Sequence, residues 1–447
     1  MTWLLHADGL TAPVVVADVD LAEPTVMSVP AAIYEGEDEA FASTKSEARR
    51  ALVLVRLHGA PLGTVLTDAP GGQLDPARVA EAAWAELEPA IAAHLRADGL
   101  PVAPTAAGPA PCQRSDATGP REPVTVVVAT RERPSLLAVC LDSLARLDYP
   151  DYEIVVVDND PVSDDTAVLV RDRADERVRY VAEPRRGLAA AHNRGLAEAA
   201  GSIVAFTDDD VIVDRNWLGS IAGAMRLAPE IACVTGLIMP AELVTQPQLM
   251  LEMHGNFAKG FEQRIVNLGD RRPADPLFPF TVGKLGSGAN MAFDRSKLAR
   301  MGGFDPAIGA GTVARGGDDL AALFAVLAAG HSIAYEPGAL VWHRHRRDRG
   351  SLTAQAYGYG VGLSAYLTSA LMSHPRMISK ALRRAPAGLA YALRSDSPRS
   401  QYFGDGWPRE LVRHERRGLA FGPVAYTVSR WRTRGAPRSL ANGEQAC

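Results

Sequence analysis

An alternation running from Val124 to Asp210 narrows the fold more than any other feature of the chain. "VTVVVAT", "YEIVVVD", "VRYVAE" and "SIVAFTD" are short apolar runs rich in β-branched residues, as expected of buried strands. Between them lie "RPSLLAVCLDSLARL", "DDTAVLVRDRADE" and "GLAAAHNRGLAEAA", with apolar residues at helical spacing. Strands separated by helices in this way predict a doubly wound, mostly parallel α/β sheet.

Ligands of such sheets bind at the carboxyl ends of the strands. Thr130 and Arg131 follow the first strand, Asp158 ends the second, and Asp208, Asp209 and Asp210 end the fourth. A helix cap or a turn accounts for a single Asp at such a position. Three in a row repel one another, and burying them costs on the order of several kcal/mol each unless they are compensated. A divalent cation, Mn2+ or Mg2+, held against a diphosphate would supply that compensation.

Two later stretches carry further candidates. In "ARGGDDLAALFAVLAAG", Asp318 and Asp319 stand at the start of a helix after two glycines. There they either complement the helix dipole or place a carboxylate as general base beside an acceptor hydroxyl. In "ALVWHRHRRD", His343 and His345 lie two apart at a strand end and share a face. His343 is the candidate metal ligand. Arg344, Arg346 and Arg347 are candidates for holding phosphates or for a solvated face. Gly286 and Gly288 in "KLGSGANMAFDR" would let backbone approach a ligand. The chain has neither GxGxxG nor GxxxxGK[ST], which counts against a nicotinamide dehydrogenase or a P-loop enzyme.

The 447 residues are too many for one ordinary core. Residues 1–100 read as a small α/β domain, with strands in "APVVVADVDL", "ALVLVRLHG" and "PLGTVLTDAPGG" and a helix from Pro76, capped by Asp75. Residues 101–122 are rich in Pro, Ala and Gly and read as a linker. Residues 351–447 read as a basic, mostly helical region. Charge is unevenly distributed: residues 1–100 hold 15 acids and 6 Lys/Arg, and residues 344–447 hold 6 acids and 18 Lys/Arg. Such a tail is a candidate for peripheral contact with an anionic membrane or for packing on the rest of the chain. The four cysteines are scattered, with no metal-type pair. The N-terminus lacks the basic and apolar regions of a signal peptide, and no apolar run suffices for a transmembrane helix. A cytoplasmic protein, peripheral at most to the inner membrane face, is expected.

The ordered set "VTVVVATRERP", "YEIVVVDND", "EPRRGLAAAHNRGLAEAAGSIVAFTDDD", "GANMAFDR", "GGFDP", "GGDDLAALFAVLAAG" and "VWHRHR" resembles the inverting family-2 glycosyltransferases of GT-A fold, over roughly residues 122–350. The resemblance implies that Thr130, Arg131, Asp158, Arg186, Asp208 and Asp209 bind a nucleotide-diphospho sugar, most simply a UDP-sugar. It implies metal ligation by Asp208, Asp210 and His343, the last as in galactofuranosyltransferases. It makes Asp319 the base, with Asp318 where the family often has Glu, and it sets His192 where the family often has Arg.

The fold class expected is therefore α/β: a GT-A-type doubly wound, mostly parallel sheet at 123–350, a small N-terminal α/β domain and a helical C-terminal region. The expected function is metal-dependent, inverting transfer of a sugar to a glycan, peptide, lipid-linked or small-molecule acceptor, with no nucleic-acid partner. The alternatives are a sugar-phosphate nucleotidyltransferase, against which the loop "ATRERP" counts because it lacks glycines, and a non-catalytic nucleotide-sugar or glycan-binding module.

Overall fold

The computed structural model describes residues 10–23, 27–28, 46–102, 122–255, 257–377, 379, 383–384 and 408–434. Most of the stretch read as a linker, and the segment "APAGLAYALRS", lie outside the described residues.

The N-terminal unit contains β1 (Val14–Asp20), β2 (Met27–Ser28), β3 (Arg50–Leu57), β4 (Ala60–Asp68) and α1 (Pro76–Ala97). Its sheet has the order β2-β1-β3-β4, with β1 and β3 parallel and β3 and β4 a hairpin. Asp75 caps α1 by accepting from the Ala77 N–H at 3.0 Å. β3 is buried along nearly its whole length because it has two apolar partners. Val53 and Val55 pack with Val15 and Ala17 under Val79, Ala83, Leu87 and Ile91 of α1. Leu52 and Leu54, with Val14 and Val16, share a second core with Ile212, Leu237, Met239, Leu340 and Trp342. Arg56 crosses this junction and pairs with both Asp18 (2.6 Å) and Asp214 (2.8 Å).

The rest of the chain runs β5 (Val124–Thr130), α2 (Pro134–Leu144), β6 (Tyr152–Asn159), α3 (Asp165–Arg173), β7 (Val178–Glu183), α4 (Leu188–Glu198), β8 (Ile203–Asp208), β9 (Val211–Val213), α5 (Trp217–Met225), β10 (Ile231–Pro240), α6 (Gln246–Gly255), β11 (Arg264–Val266), β12 (Met291–Asp294), α7 (Arg295–Arg300), α8 (Asp318–Ala328), β13 (Ser332–His343), α9 (Arg349–Ser373) and α10 (Arg409–Thr433). The large sheet has the order β11-β13-β10-β12-β8-β5-β6-β7, with β9 paired to β13. It is parallel through β8-β5-β6-β7, where strands and helices alternate in the sequence. Beyond β8 it is mixed, because β12 runs antiparallel to both β8 and β10. Helices α2 and α5 cover one face, and α4, α8 and α9 the other. The parallel-rich α/β architecture is the one the sequence predicts.

Gly195 lets α4 sit tightly on β5. A Cβ there would lie 2.3 Å from Val127 Cγ1, in a fully buried valine. Gly195→Ala gains about 1 kcal/mol of helix propensity and incurs an overpacking cost of about 1–3 kcal/mol. Net destabilisation is expected as a lowered urea midpoint at unchanged slope.

In the C-terminal region, α10 packs along α9 with backbone nearly touching backbone. A Cβ on Gly360 would meet the Glu415 carbonyl oxygen at 2.0 Å, and one on Gly418 the Tyr357 carbonyl oxygen at 2.3 Å. Among the described residues, no helix is long and apolar enough to cross a membrane.

Candidate active site

Register aligns the strand ends. Thr130 of β5 is paired with Asp158 of β6, and Ala129 with Asp208 of β8. Three strands thus finish together and present their polar residues along one edge.

The three acids divide their work. Asp209 is turned into the protein, where its carboxylate accepts from the Thr130 hydroxyl at 2.8 Å and from Arg133 at 3.0 Å. Arg133 also reaches Asp210 at 3.4 Å. Asp208 and Asp210 face His343, and one ligand atom from each of the three falls within 4.8 Å of the others. Asp210 Oδ1 lies 3.2 Å from His343 Nε2 but has no aligned hydrogen bond among the described residues. Metal–oxygen bonds of about 2.0–2.2 Å place neighbouring ligand atoms about 3 Å apart and opposite ones about 4 Å apart. The 3.2 Å between Asp210 and His343 is the spacing of two neighbouring ligands of a divalent cation.

Backbone pairing sets this geometry. β9 follows Asp210 directly and pairs antiparallel with β13, Val211 opposite His343. On its other side His343 is in register with Pro240 of β10. The Arg344 N–H closes the corner by donating to the Asp210 carbonyl at 2.9 Å.

The local electrostatics match a site for a cation. Burial, reinforced by the charge of Asp210, pushes Asp208 up to about 7. Burial and Asp210 likewise raise Asp209 to about 6. Burial also opposes the charge on Asp210, but His343 and Arg133 outweigh it and hold that carboxyl below its usual range. His343 is correspondingly raised: burial works against its charge, and Asp210 and Asp208 prevail.

The second acidic pair opens α8 after Gly317, whose φ of 88° is in the left-handed region. Asp319 Oδ2 accepts from the Gly288 N–H at 2.9 Å, and Oδ1 from the Leu320 N–H at 2.8 Å. Burial and the neighbouring Asp318 nonetheless raise Asp319 to about 6. Asp318 is buried with its Oδ2 3.5 Å from His192 Nδ1. His192 packs between Phe206 and Phe304, and its field acts on both Asp208 and Asp319. At the position where the family resemblance suggests Arg, the chain thus has a buried imidazole beside the second acidic pair.

The remaining sequence candidates are spread along the same edge. Asp158 is fully buried, its Oδ2 accepting from the Tyr180 hydroxyl at 3.2 Å; its Oδ1 has no hydrogen-bond partner among the described residues. Arg131 donates to Asp160 at 3.0 Å. Arg186 lines a pocket of about 670 Å³ with Thr312, Arg315, Tyr357 and Phe421.

Of the Arg residues after His343, Arg344 and Arg347 contact the buried carboxylate of Glu242 at 3.3 and 2.8 Å. His345 is buried against Glu252 at 2.8 Å. Asn290 of the "GAN" stretch is a brace: it accepts from Trp217 Nε1 at 2.9 Å and donates to the carbonyls of Leu237 and Ala339. Sequence reasoning missed Arg133, whose signal is a cation three residues past the β5 strand end.

Residues 125–298 match the model of the family described as Glycosyl transferase family 2. The chain is similar to the pre-mycofactocin glycosyltransferase of Mycobacterium tuberculosis, with 29% identity over 276 residues, 61% of this chain and 52% of the relative. It is also similar to the GalNAc(5)-diNAcBac-PP-undecaprenol beta-1,3-glucosyltransferase of Campylobacter jejuni, with 32% identity over 143 residues, 31% of this chain and 41% of that one. The chain thus spans about half the length or less of these curated relatives. Among solved structures, it is similar to a mannosyltransferase of Pyrobaculum calidifontis in complex with GDP-Man and Mn2+. That likeness has 21% identity and a TM-score of 0.42, and covers 72% of this chain and 90% of the other.

Proposed function

We propose that the chain, whose residues 125–298 match the Glycosyl transferase family 2 model, is a metal-dependent, inverting glycosyltransferase that moves a sugar from a nucleotide-diphospho sugar to an acceptor hydroxyl. The observation that carries this reading is the convergence of Asp208, Asp210 and His343 at the end of β8.

Asp208, Asp210 and His343 would hold Mn2+ or Mg2+, which when bound offsets charge gathering on the leaving diphosphate. Asp209 keeps Arg133 and Thr130 in place beneath them. Asp158, Thr130, Arg131 and Arg186 line the edge where the nucleotide would lie, and the unpartnered Asp158 Oδ1 is suited to accept from a ribose hydroxyl or base N–H. A UDP-sugar is the first donor to try. Asp319 removes the proton of the acceptor hydroxyl as its oxygen attacks the anomeric carbon. The bond from that carbon to the diphosphate oxygen breaks on the opposite side, so configuration inverts. The two backbone N–H groups hold the Asp319 carboxylate still, and its raised affinity for protons makes it a better base than an exposed Asp.

The test is a donor screen. Purified protein with UDP-, GDP- or TDP-sugars should release nucleotide diphosphate from one donor in Mn2+ or Mg2+ and none in EDTA. Release of pyrophosphate from a sugar phosphate and a nucleoside triphosphate would point to a nucleotidyltransferase instead. Binding of a donor without turnover across glycan, peptide and lipid-linked acceptors would point to a binding module.

The acceptor class most in keeping with the basic C-terminal region is a lipid-linked one reached at an anionic surface. Phe421, Val424 and Trp431 of α10 are exposed among its arginines. The protein is expected to pellet with anionic vesicles at low salt and to be released by high salt. Failure to pellet at low salt would remove the membrane from this reading and leave the chemistry untouched.

A further inference from the structure

We propose that the N-terminal unit holds a metal ion of its own, a borderline first-row cation such as Zn2+, on His58, His94 and Asp98. These residues lie outside the acidic clusters described above and have no part in the proposed transfer.

The hairpin turn joining β3 to β4 places His58. His58 and Gly59 both lie in the left-handed region, with φ of 52° and 78°. Their N–H groups donate to the carboxylate of Asp20 at 3.1 and 2.6 Å, which fixes the turn. The last turn of α1 supplies the other two. His94 and Asp98 are four apart and therefore share a face.

The three functional atoms form a nearly equilateral triangle. Asp98 Oδ2 is 3.0 Å from His58 Nδ1 and 3.1 Å from His94 Nε2, and the two ring nitrogens are 3.2 Å apart. Their side chains are only 7%, 9% and 1% exposed. Hydrogen bonds can use at most two edges of such a triangle at once, because His58 Nδ1 cannot donate to Asp98 and accept from His94 together. It suits a cation well. Bonds of about 2.0–2.2 Å in an ideal tetrahedral site put ligand atoms about 3.3–3.6 Å apart. An ion about 1 Å out of the plane of these three atoms would reach all of them at that length.

Charge adds an independent reason. Asp98 is the C-cap of α1, so a buried carboxylate stands at the negative end of a helix of 22 residues. The helix dipole disfavours an anion there and favours a cation. Two imidazoles and one carboxylate suit Zn2+ better than Mg2+, which prefers an oxygen shell. Bound there, the ion clips the β3–β4 turn to the end of α1. Its effect is on stability, because β3 lies between α1 and the core shared with the large sheet.

The experiment uses the full chain in an Asp210→Asn, His343→Ala background, which removes the other cluster. The protein is stripped with EDTA and given Zn2+ or Co2+ alone. The expected result is uptake of about one equivalent, a visible Co2+ absorption of four-coordinate strength, and a rise in Tm with Zn2+. Adding His94→Gln should abolish all three. Adding Asp98→Asn, nearly the same shape, should weaken uptake at least tenfold and covers the case in which His94→Gln does not fold. No uptake in the background protein would overturn the proposal, as would uptake that both added substitutions leave unchanged. A rise in Tm on acidification alone, with no metal uptake, would also overturn it and identify the group as a protonated histidine pair.

Discussion

Asp210→Asn is expected to lower metal-dependent release of nucleotide diphosphate by about 10²–10³-fold or more, the scale on which a lost group that stabilises transition-state charge is felt. The substitution keeps the shape of the residue and removes the carboxylate that His343 and Arg133 hold ionised. Asp208→Asn should reduce release comparably while acting oppositely on the metal-free fold. The folded-state pKa of Asp208, about 7, stands above its ordinary value of 3.8. Ionisation is therefore easier in the unfolded chain, and stability falls as pH rises from the unfolded value through the folded one. At pH 8 the full cost is present, and relieving it should stabilise the metal-free protein by about 2 kcal/mol after allowance for residual solvation. Wild type should recover that stability on addition of Mn2+, and the Asp208→Asn protein should not. Thermal unfolding with and without Mn2+ at pH 8 checks the pair. A Tm indifferent to Mn2+ in the His94→Gln protein, whose N-terminal cluster is disabled and whose β8 cluster is intact, would argue against a metal at β8.

Asp319→Asn is expected to reduce kcat by about 10²–10⁴-fold, the usual worth of a general base, with donor binding in Mn2+ unchanged. The carboxamide keeps the shape and one acceptor oxygen, so one of the two hydrogen bonds from the Gly288 and Leu320 N–H groups is retained and the other is lost. The pH profile carries the finer test. The base must be ionised, so turnover should fall on the acid side as pH drops through about 6. Burial is the first cause of that elevation and Asp318 the second. Asp318→Asn should therefore move the acid limb to lower pH, leaving the rate at pH 8 much less affected than Asp319→Asn does. An acid limb that stays where it is in Asp318→Asn would mean that Asp319 is not the titrating base.

The parallel half of the sheet was legible because β5, β6 and β8 are buried on both faces and read as apolar runs, and because helices of clear period separate its strands in the sequence. The edge of the site was legible for the same reason, since the residue after each run must lie at the strand end. What could not be read depends on contacts across the chain. Asp209 belongs to Arg133 and Thr130 while its neighbours face His343, and nothing in "DDD" says which acid turns inward. Arg344 and Arg347 read as candidates for phosphates or for a solvated face, and their partner Glu242 stands about 100 residues earlier. The mixed half of the sheet follows from β12, four residues whose direction no local pattern encodes. The contact between the N-terminal sheet and the large one did leave a trace: β3 is apolar at successive positions, as a strand covered on both sides must be.

The ladder joining β9, β13 and β10 has a consequence for how this architecture can change. Side chains alternate along a strand, so inserting one residue in β13 ahead of Trp342 would present the Trp342 ring where the imidazole of His343 now stands. Insertions in the connections at residues 256–290 alter no pairing of β9 with β13. If, on the proposed function, that segment meets the acceptor, its wall can be reworked without changing the spacing between Asp210 and His343. Diversity of specificity and constancy of chemistry then have separate addresses in the chain.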